Sequence, residues 1–239
     1  DIGHEHHLNP RELESRDIRD SEEDCGTDDD APDPSSNDED EGESEGESSP
    51  ADVFITVDVG RLDRAKRMGL LQSINSFGVI NKVSSKYIDK DRQWIGISKR
   101  IRTVVVSKNM KDKADLKNFE DLANDQWKNR ICVRSSNNIY NQSLVASLVK
   151  NNGKAAAAQW SKGVVSNMAR DPKGNDRAQI LAVAAGEADI AVANTYYLAL
   201  MLSGKKGAEQ QAAAKKVKAF FPNQDGRGTH MNISGAGLV

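Results

Sequence analysis

Cysteine is nearly absent. Two in 239 residues, Cys25 and Cys132, exclude a disulfide scaffold and a four-cysteine zinc site. No apolar run approaches the ~18–20 residues of a membrane-crossing helix, which excludes a spanning chain. No charged-then-apolar signal segment opens the sequence, and its start at Asp1 is the one expected of an already processed form. A Gly-x-Ser-x-Gly elbow and a Walker loop are both missing, so nucleophilic and nucleotide chemistry have no foothold, and an enzyme is not expected. Aromatic residues are 5% of the chain, and all twelve follow position 50, beginning with Phe54.

What is present is unevenly distributed. Residues 1–50 hold 20 Asp and Glu against three Arg, a balance of −17. Residues 51–239 hold 30 Lys and Arg against 16 Asp and Glu, a balance of +14. The front reads as an acidic, aromatic-free segment and the rest as a mildly basic globular body, long enough for one large domain or two small ones. The basic residues are scattered, with no dense run and no aromatic interleaving, so nucleic acid is not an expected partner.

Within the body, apolar periodicity separates strands from helices. Ala51 to Val57 is a strand, followed by a helix over 61–71. Trp94 to Ser107 is a long β-rich stretch centred on Val104, Val105 and Val106. Arg130 to Arg134 is a strand with the core thiol Cys132 at its middle; Asn137 or Asn138 then caps a helix over 139–150. Further helices are expected over 155–168, 177–185, 196–202 and 208–219, and a buried strand over 188–193. Gly186 stops one helix and Asn194-Thr195 caps the next. Residues 220–239 look extended and Gly-rich. Strands alternating with helices predict a mostly parallel sheet covered on both faces.

Tyrosine is scarce, four in all, and Tyr140, Tyr196 and Tyr197 each fall in the first turn of a helix that follows a strand. Ligands of open α/β sheets bind at such places, where helix N-termini carry partial positive charge. A hard trivalent cation would displace the phenol protons and take the oxygens as ligands. A Tyr-Tyr pair beside Leu198, Leu200 and Met201 is by default a core feature, however, and neighbours on a helix diverge by about 100°. The residues alone therefore stop at an anion or metal cleft. His4, His6 and His7 form a His-x-His-His cluster that could take a divalent ion or belong to a solvated tail; His230 reads as structural. Cys25 sits among Glu22, Glu23 and Asp24, which blunts its reactivity.

Several segments resemble the ferric-ion-binding periplasmic proteins of bacterial ABC importers. They are Ser49 to Leu62 (SPADVFITVDVGRL), Ser98 to Arg102 (SKRIR), Phe119 to Ala123 (FEDLA), Arg134 to Ser143 (RSSNNIYNQS), Ala185 to Tyr197 (AGEADIAVANTYY) and Phe221 to Gly237. Over residues 44–239 their order and approximate spacing match. The resemblance implies an α/β, two-lobed type II periplasmic-binding-protein fold. Lobe one would be residues 1–98 completed by 221–239, and lobe two residues 99–220, with crossovers near Ser98–Val106 and Phe220–Asn232. It implies Tyr140, Tyr196 and Tyr197 as phenolate ligands of Fe(III). Arg100 would stand beside a synergistic anion such as carbonate or balance a phenolate, and Arg102 competes for that role. Laid without gaps on the family's opening, His6 and His7 fall on its two N-terminal ligand positions. Strands are then expected near 1–7 and 27–32, with helices between and after them.

The family continues past the Ser-Gly-Ala-Gly motif, so a chain ending at Val239 is expected to be truncated. The implied function is extracytoplasmic capture of ferric iron by hinge closure, with delivery to an ABC permease. The binding protein would be a monomer in the periplasm or at the cell surface. Two other readings stand beside it: a binding protein for an anion or small carboxylate, with the tyrosines as donors, and an acidic metal buffer working through residues 1–50.

Overall fold

The computed structural model describes residues 51–239. The strands and helices expected over 1–50, the histidines His4, His6 and His7, and Cys25 lie outside the described residues.

The described chain begins with β1 (Val53–Val57) and α1 (Val59–Arg67). The helix expected over 61–71 starts earlier because the Asp58 side chain caps it, accepting from the Gly60 N–H. It stops earlier because Gly69 takes a left-handed φ of 76°. A one-turn α2 (Phe77–Ile80) precedes β2, which covers Trp94–Ser107, the bounds read from the sequence. Three short 3-10 turns lead to β3 (Ile131–Cys132). Then come α3 (Ile139–Asn152), α4 (Lys154–Ser166) and α5 (Asp176–Ala185). The chain closes with β4 (Ile190–Asn194), α6 (Thr195–Leu202), α7 (Ala208–Ala214), β5 (Val217–Phe220) and β6 (Met231–Leu238).

The strands lie in the order β1-β6-β2-β4-β3, with β5 also paired to β2. Among the described strands only the β3–β4 ladder is parallel, and the other four ladders are antiparallel. This corrects the expected mostly parallel sheet. Alternation of strands and helices implies parallel crossovers only where successive strands are neighbours. Here β6, the last strand, inserts between β1 and β2, and β4 runs back beside β2. The helix expected over 208–219 is also shorter, since Val217–Phe220 leaves it to pair with Val104–Ser107 and bury Val217.

β2 changes partners along its length. Trp94–Ile101 pairs with β6, and Arg102–Val106 pairs with β4. In the second part Val104, Val105 and Val106 are fully buried between two apolar clusters. Leu122, Trp127, Leu144, Leu148 and Ile190 pack on one side. Ile180, Val183, Ala191, Leu198 and Met201 pack on the other. Because β4 is buried throughout, the helix that leaves it starts from a fixed point.

Candidate functional site

Two helix starts carry the three tyrosines. Tyr140 is the second residue of α3, whose first turn is set by Asn138: its side-chain oxygen accepts the Tyr140 N–H at 3.0 Å. Asn138, not Asn137, is thus the cap. Tyr196 and Tyr197 are the second and third residues of α6. Asn194 precedes that helix, but its side chain does not cap it; instead its backbone N–H donates to Asp176 at 2.7 Å.

These starts face one another. The Tyr196 hydroxyl donates to that of Tyr140 at 3.4 Å. The rings of Tyr196 and Tyr197 lie side by side, with centroids 4.3 Å apart and planes 30° from parallel. Neighbouring positions on the first turn therefore do not send these two rings to opposite faces. Over the whole residue Tyr196 keeps 38% of its surface exposed, while its phenol end is largely enclosed by protein.

Charge around the cluster is positive. Arg100, Arg134 and Arg102 place their guanidinium carbons 5.2, 5.5 and 5.8 Å from the centre of the Tyr140 ring. Burial raises the Tyr196 phenol far above the usual range, and the adjoining Tyr140 and Tyr197 add to the rise. Burial also raises Tyr197, with Asp176 and Tyr140 assisting and Tyr196 and Arg134 opposing. Both shifts favour the neutral phenol in the ion-free protein.

Arg100 is buried and donates from Nη2 to the Ile233 carbonyl at 3.0 Å. Arg102 is engaged more fully, with Asp176 Oδ2 and Asn141 Oδ1 each 2.6 Å from its two terminal nitrogens. Beside Tyr140, a niche of about 10 Å³ is lined by Asp58, Arg100, Arg102, Asn194, His230 and Asn232. Asp58 has no exposed surface and adopts φ 84°. Its carboxylate accepts from Gly60 N at 2.9 Å, Asn232 Nδ2 at 2.7 Å and Ser143 Oγ at 2.7 Å. Those bonds hold Asp58 at a positive φ with ψ 127°, outside the left-handed helical region and uncommon for any residue with a side chain. His230 belongs to this niche. Burial lowers its imidazole to about 4, and Arg102 and Arg227 act in the same direction against Asp58.

Sequence reasoning missed Asp58, Arg134, Asp176, Asn194 and Asn232. The available signal was positional: Asp58 and Asp176 stand at helix starts, as the tyrosines do. His6 and His7 lie outside the described residues. Among the described residues no group of three His, Cys, Asp or Glu side chains is placed to hold a metal, and no helix is long and apolar enough to cross a membrane.

Comparison with known proteins gives concordant results. Residues 48–227 match the family model described as bacterial extracellular solute-binding protein. The chain is 48% identical over 192 residues to iron uptake protein A1 of Synechocystis sp. (strain ATCC 27184 / PCC 6803 / Kazusa), covering 80% of this chain and 53% of that protein. It resembles a solved Trichodesmium protein in complex with iron and citrate ligands, at 52% identity and a TM-score of 0.78, covering 84% of this chain and 63% of that one. It also resembles the ferric binding protein from Campylobacter jejuni, at 41% identity and a TM-score of 0.82, covering 85% of this chain and 64% of that one. The chain thus spans about half the length of the Synechocystis relative and under two thirds of each solved chain.

Proposed function

Because the chain belongs to the bacterial extracellular solute-binding proteins, with the α/β fold of the type II periplasmic binding proteins, we propose that it captures ferric iron outside the cytoplasm and delivers it to the permease of an ABC importer. Tyr140, Tyr196 and Tyr197 bind the ion as phenolates, and Arg100 neutralises them or holds a synergistic anion such as carbonate. Among the described residues, 51–98 with 221–239 form one lobe and 99–220 the other, and hinge closure encloses the ion. The protein acts as a monomer in the periplasm or at the cell surface.

One observation carries this reading: the gathering of three phenols, with Tyr196 and Tyr140 oxygens 3.4 Å apart and three guanidinium groups around the Tyr140 ring. Three phenolates supply a charge of −3, which matches Fe(III) and over-neutralises a divalent ion. The names of the relatives, an iron uptake protein and a ferric binding protein, support the same cargo. An absorption spectrum with metal analysis of the purified protein tests it. A visible phenolate-to-iron band that grows to one iron per chain is expected. A colourless protein that retains a small carboxylate and no iron overturns the reading in favour of an organic-anion carrier.

A further inference from the structure

Arg102 is 2% exposed and Asp176 is wholly buried, and their side chains meet at 2.6 Å. A buried ion pair is a poor stabiliser, because desolvation offsets much of its attraction and apolar replacements often serve as well. Its best-attested use is to fix one arrangement among several. The partners of this pair show which arrangement that is. From its second terminal nitrogen Arg102 donates to Asn141 Oδ1 at 2.6 Å, and Asn141 directly follows Tyr140. Asn141 is itself anchored, donating from Nδ2 to the Arg134 carbonyl at 2.8 Å. On the other side Asp176 Oδ2 accepts the backbone N–H of Asn194 at 2.7 Å, two residues before Tyr196. Three consecutive hydrogen bonds, Asn141–Arg102–Asp176–Asn194, therefore run from the start of α3 to the start of α6. Asp176 is the first residue of α5, where the helix end favours its negative charge. Its other oxygen accepts no hydrogen bond and lies 3.6 Å from Arg134 Nη1.

We infer that the Arg102–Asp176 pair is a positioning device that sets the separation of Tyr140 from Tyr196 and Tyr197, and thereby selects the size of the cation the cluster accepts. This rests on the proposed ferric reading and deepens it. Arginine is needed because its planar fork reaches two acceptors at once, whereas lysine offers one compact charge. Neither residue needs to touch the ion.

The test uses the full chain and the variants Arg102→Lys and Asn141→Ala. Each is titrated with Fe(III) supplied as citrate and with Tb(III), a larger hard trivalent ion whose emission tyrosine sensitises. Arg102→Lys should bind Fe(III) about 10–100-fold more weakly, the usual effect of removing a partner behind a ligand. It should also move the visible band and narrow the preference for Fe(III) over Tb(III), while the ion-free near-ultraviolet dichroism stays native. Asn141→Ala breaks only the Tyr140 arm, so it should shift the same quantities less, and it carries the test alone if Arg102→Lys does not fold. Unchanged affinity, band and ion preference in the folded variants overturns the inference. If the parent chain binds neither ion, the ferric reading fails separately. The inference is then decided by the nuclear Overhauser contact between the Tyr140 and Tyr196 rings. Its loss in the variants supports the inference, and its retention overturns it.

Discussion

The two ends of β2 lie in different surroundings. Trp94–Lys99, with β1 and β6, forms a sheet whose helix α1 covers one face through Leu62 and Ala65. On this side Ile55 remains 68% exposed and Ile97 60%. The helix comes close because glycines lie beneath it: a Cβ on Gly235 would sit 2.6 Å from Leu62 Cδ1 and closer still to the Ile95 carbonyl. Arg102–Val106 instead is covered on both faces by large apolar side chains. All three clustered tyrosines grow from this doubly covered part, on helices that follow β3 and β4. The thinner part reaches the site through Asp58 and Asn232, whose hydrogen bonds converge near Ser143. A precise oxygen cluster thus stands on the stiffer of the two regions, where packing on both sides limits movement of the helix starts.

Four measurements would break or sharpen that contrast. The largest effect is expected for Ile190→Ala, fully buried in the doubly covered part, where it pairs with Val106. Chemical denaturation should show a loss of about 2–5 kcal/mol. Next come Tyr196→Phe and Tyr197→Phe, which keep ring volume and remove one oxygen each. Iron affinity should fall by at least about 100-fold, beyond the loss typical of an outer partner, and the visible band should bleach while the fold persists. Retention of colour and iron in both would return the pair to the role of core residues. In the thin part, Gly235→Ala should cost about 1–3 kcal/mol by overpacking, although it adds a single methyl. Ile55→Ala, at a position exposed among the described residues, should stay within about 0.5 kcal/mol of the parent. Equal costs at Ile190 and Ile55 would remove the distinction.

Acid should separate the regions in a second way. His230 titrates near 4 in the folded chain against an ordinary 6.5. The unfolded chain takes up this proton first, so the contribution is whole above about 6.5 and is lost as pH falls towards 4. Glu120, in the short turn over 120–123 that packs against α4, behaves differently. Burial pushes its carboxyl up, but hydrogen bonds from Asn152, Asn223 and Arg227 outweigh that and hold it at about 2. Its contribution is whole above 4.5 and is lost only between 4.5 and 2. Thermal unfolding followed against pH should therefore show two windows of loss. His230→Gln should flatten the upper one and Glu120→Gln the lower.

On the proposed reading, iron release should have its own acid dependence. Each phenolate that recaptures a proton adds one power of ten per pH unit to the loss of affinity, so the slope approaches about three if all three tyrosines are ligands. A slope near zero, measured by competition with citrate at several pH values, would separate the phenols from the ion.

Much of the local structure was legible. The bounds of β2, the capped start of α3, the Gly186 stop of α5 and the burial of Cys132 all follow from periodicity and terminal residues, which act within a few positions. The direction of the ladders was not. A strand's partner is decided by residues far along the chain, and β6 enters between β1 and β2 without any sign of this in its own pattern. The short strand β5 was hidden for a related reason: its Lys and Ala read as helix, and only pairing with Val104–Ser107 makes it a strand. At the site, the resemblance placed Arg100 beside the tyrosines, with Arg102 as the competing choice. Tertiary contacts give them different partners, Asp176 and Asn141 for Arg102 and the Ile233 carbonyl for Arg100.

By itself the sequence determined that scarce tyrosines would stand in the first turns of helices following strands, because caps and hydrophobic periodicity are local physics. Only the tertiary structure decided that Tyr140 and Tyr196, 56 residues apart, would bring their oxygens to 3.4 Å. That distance depends on which strand each helix follows and on the register of those strands. It depends too on the buried pair between the helix starts, and all of these are settled by contacts between distant parts of the chain.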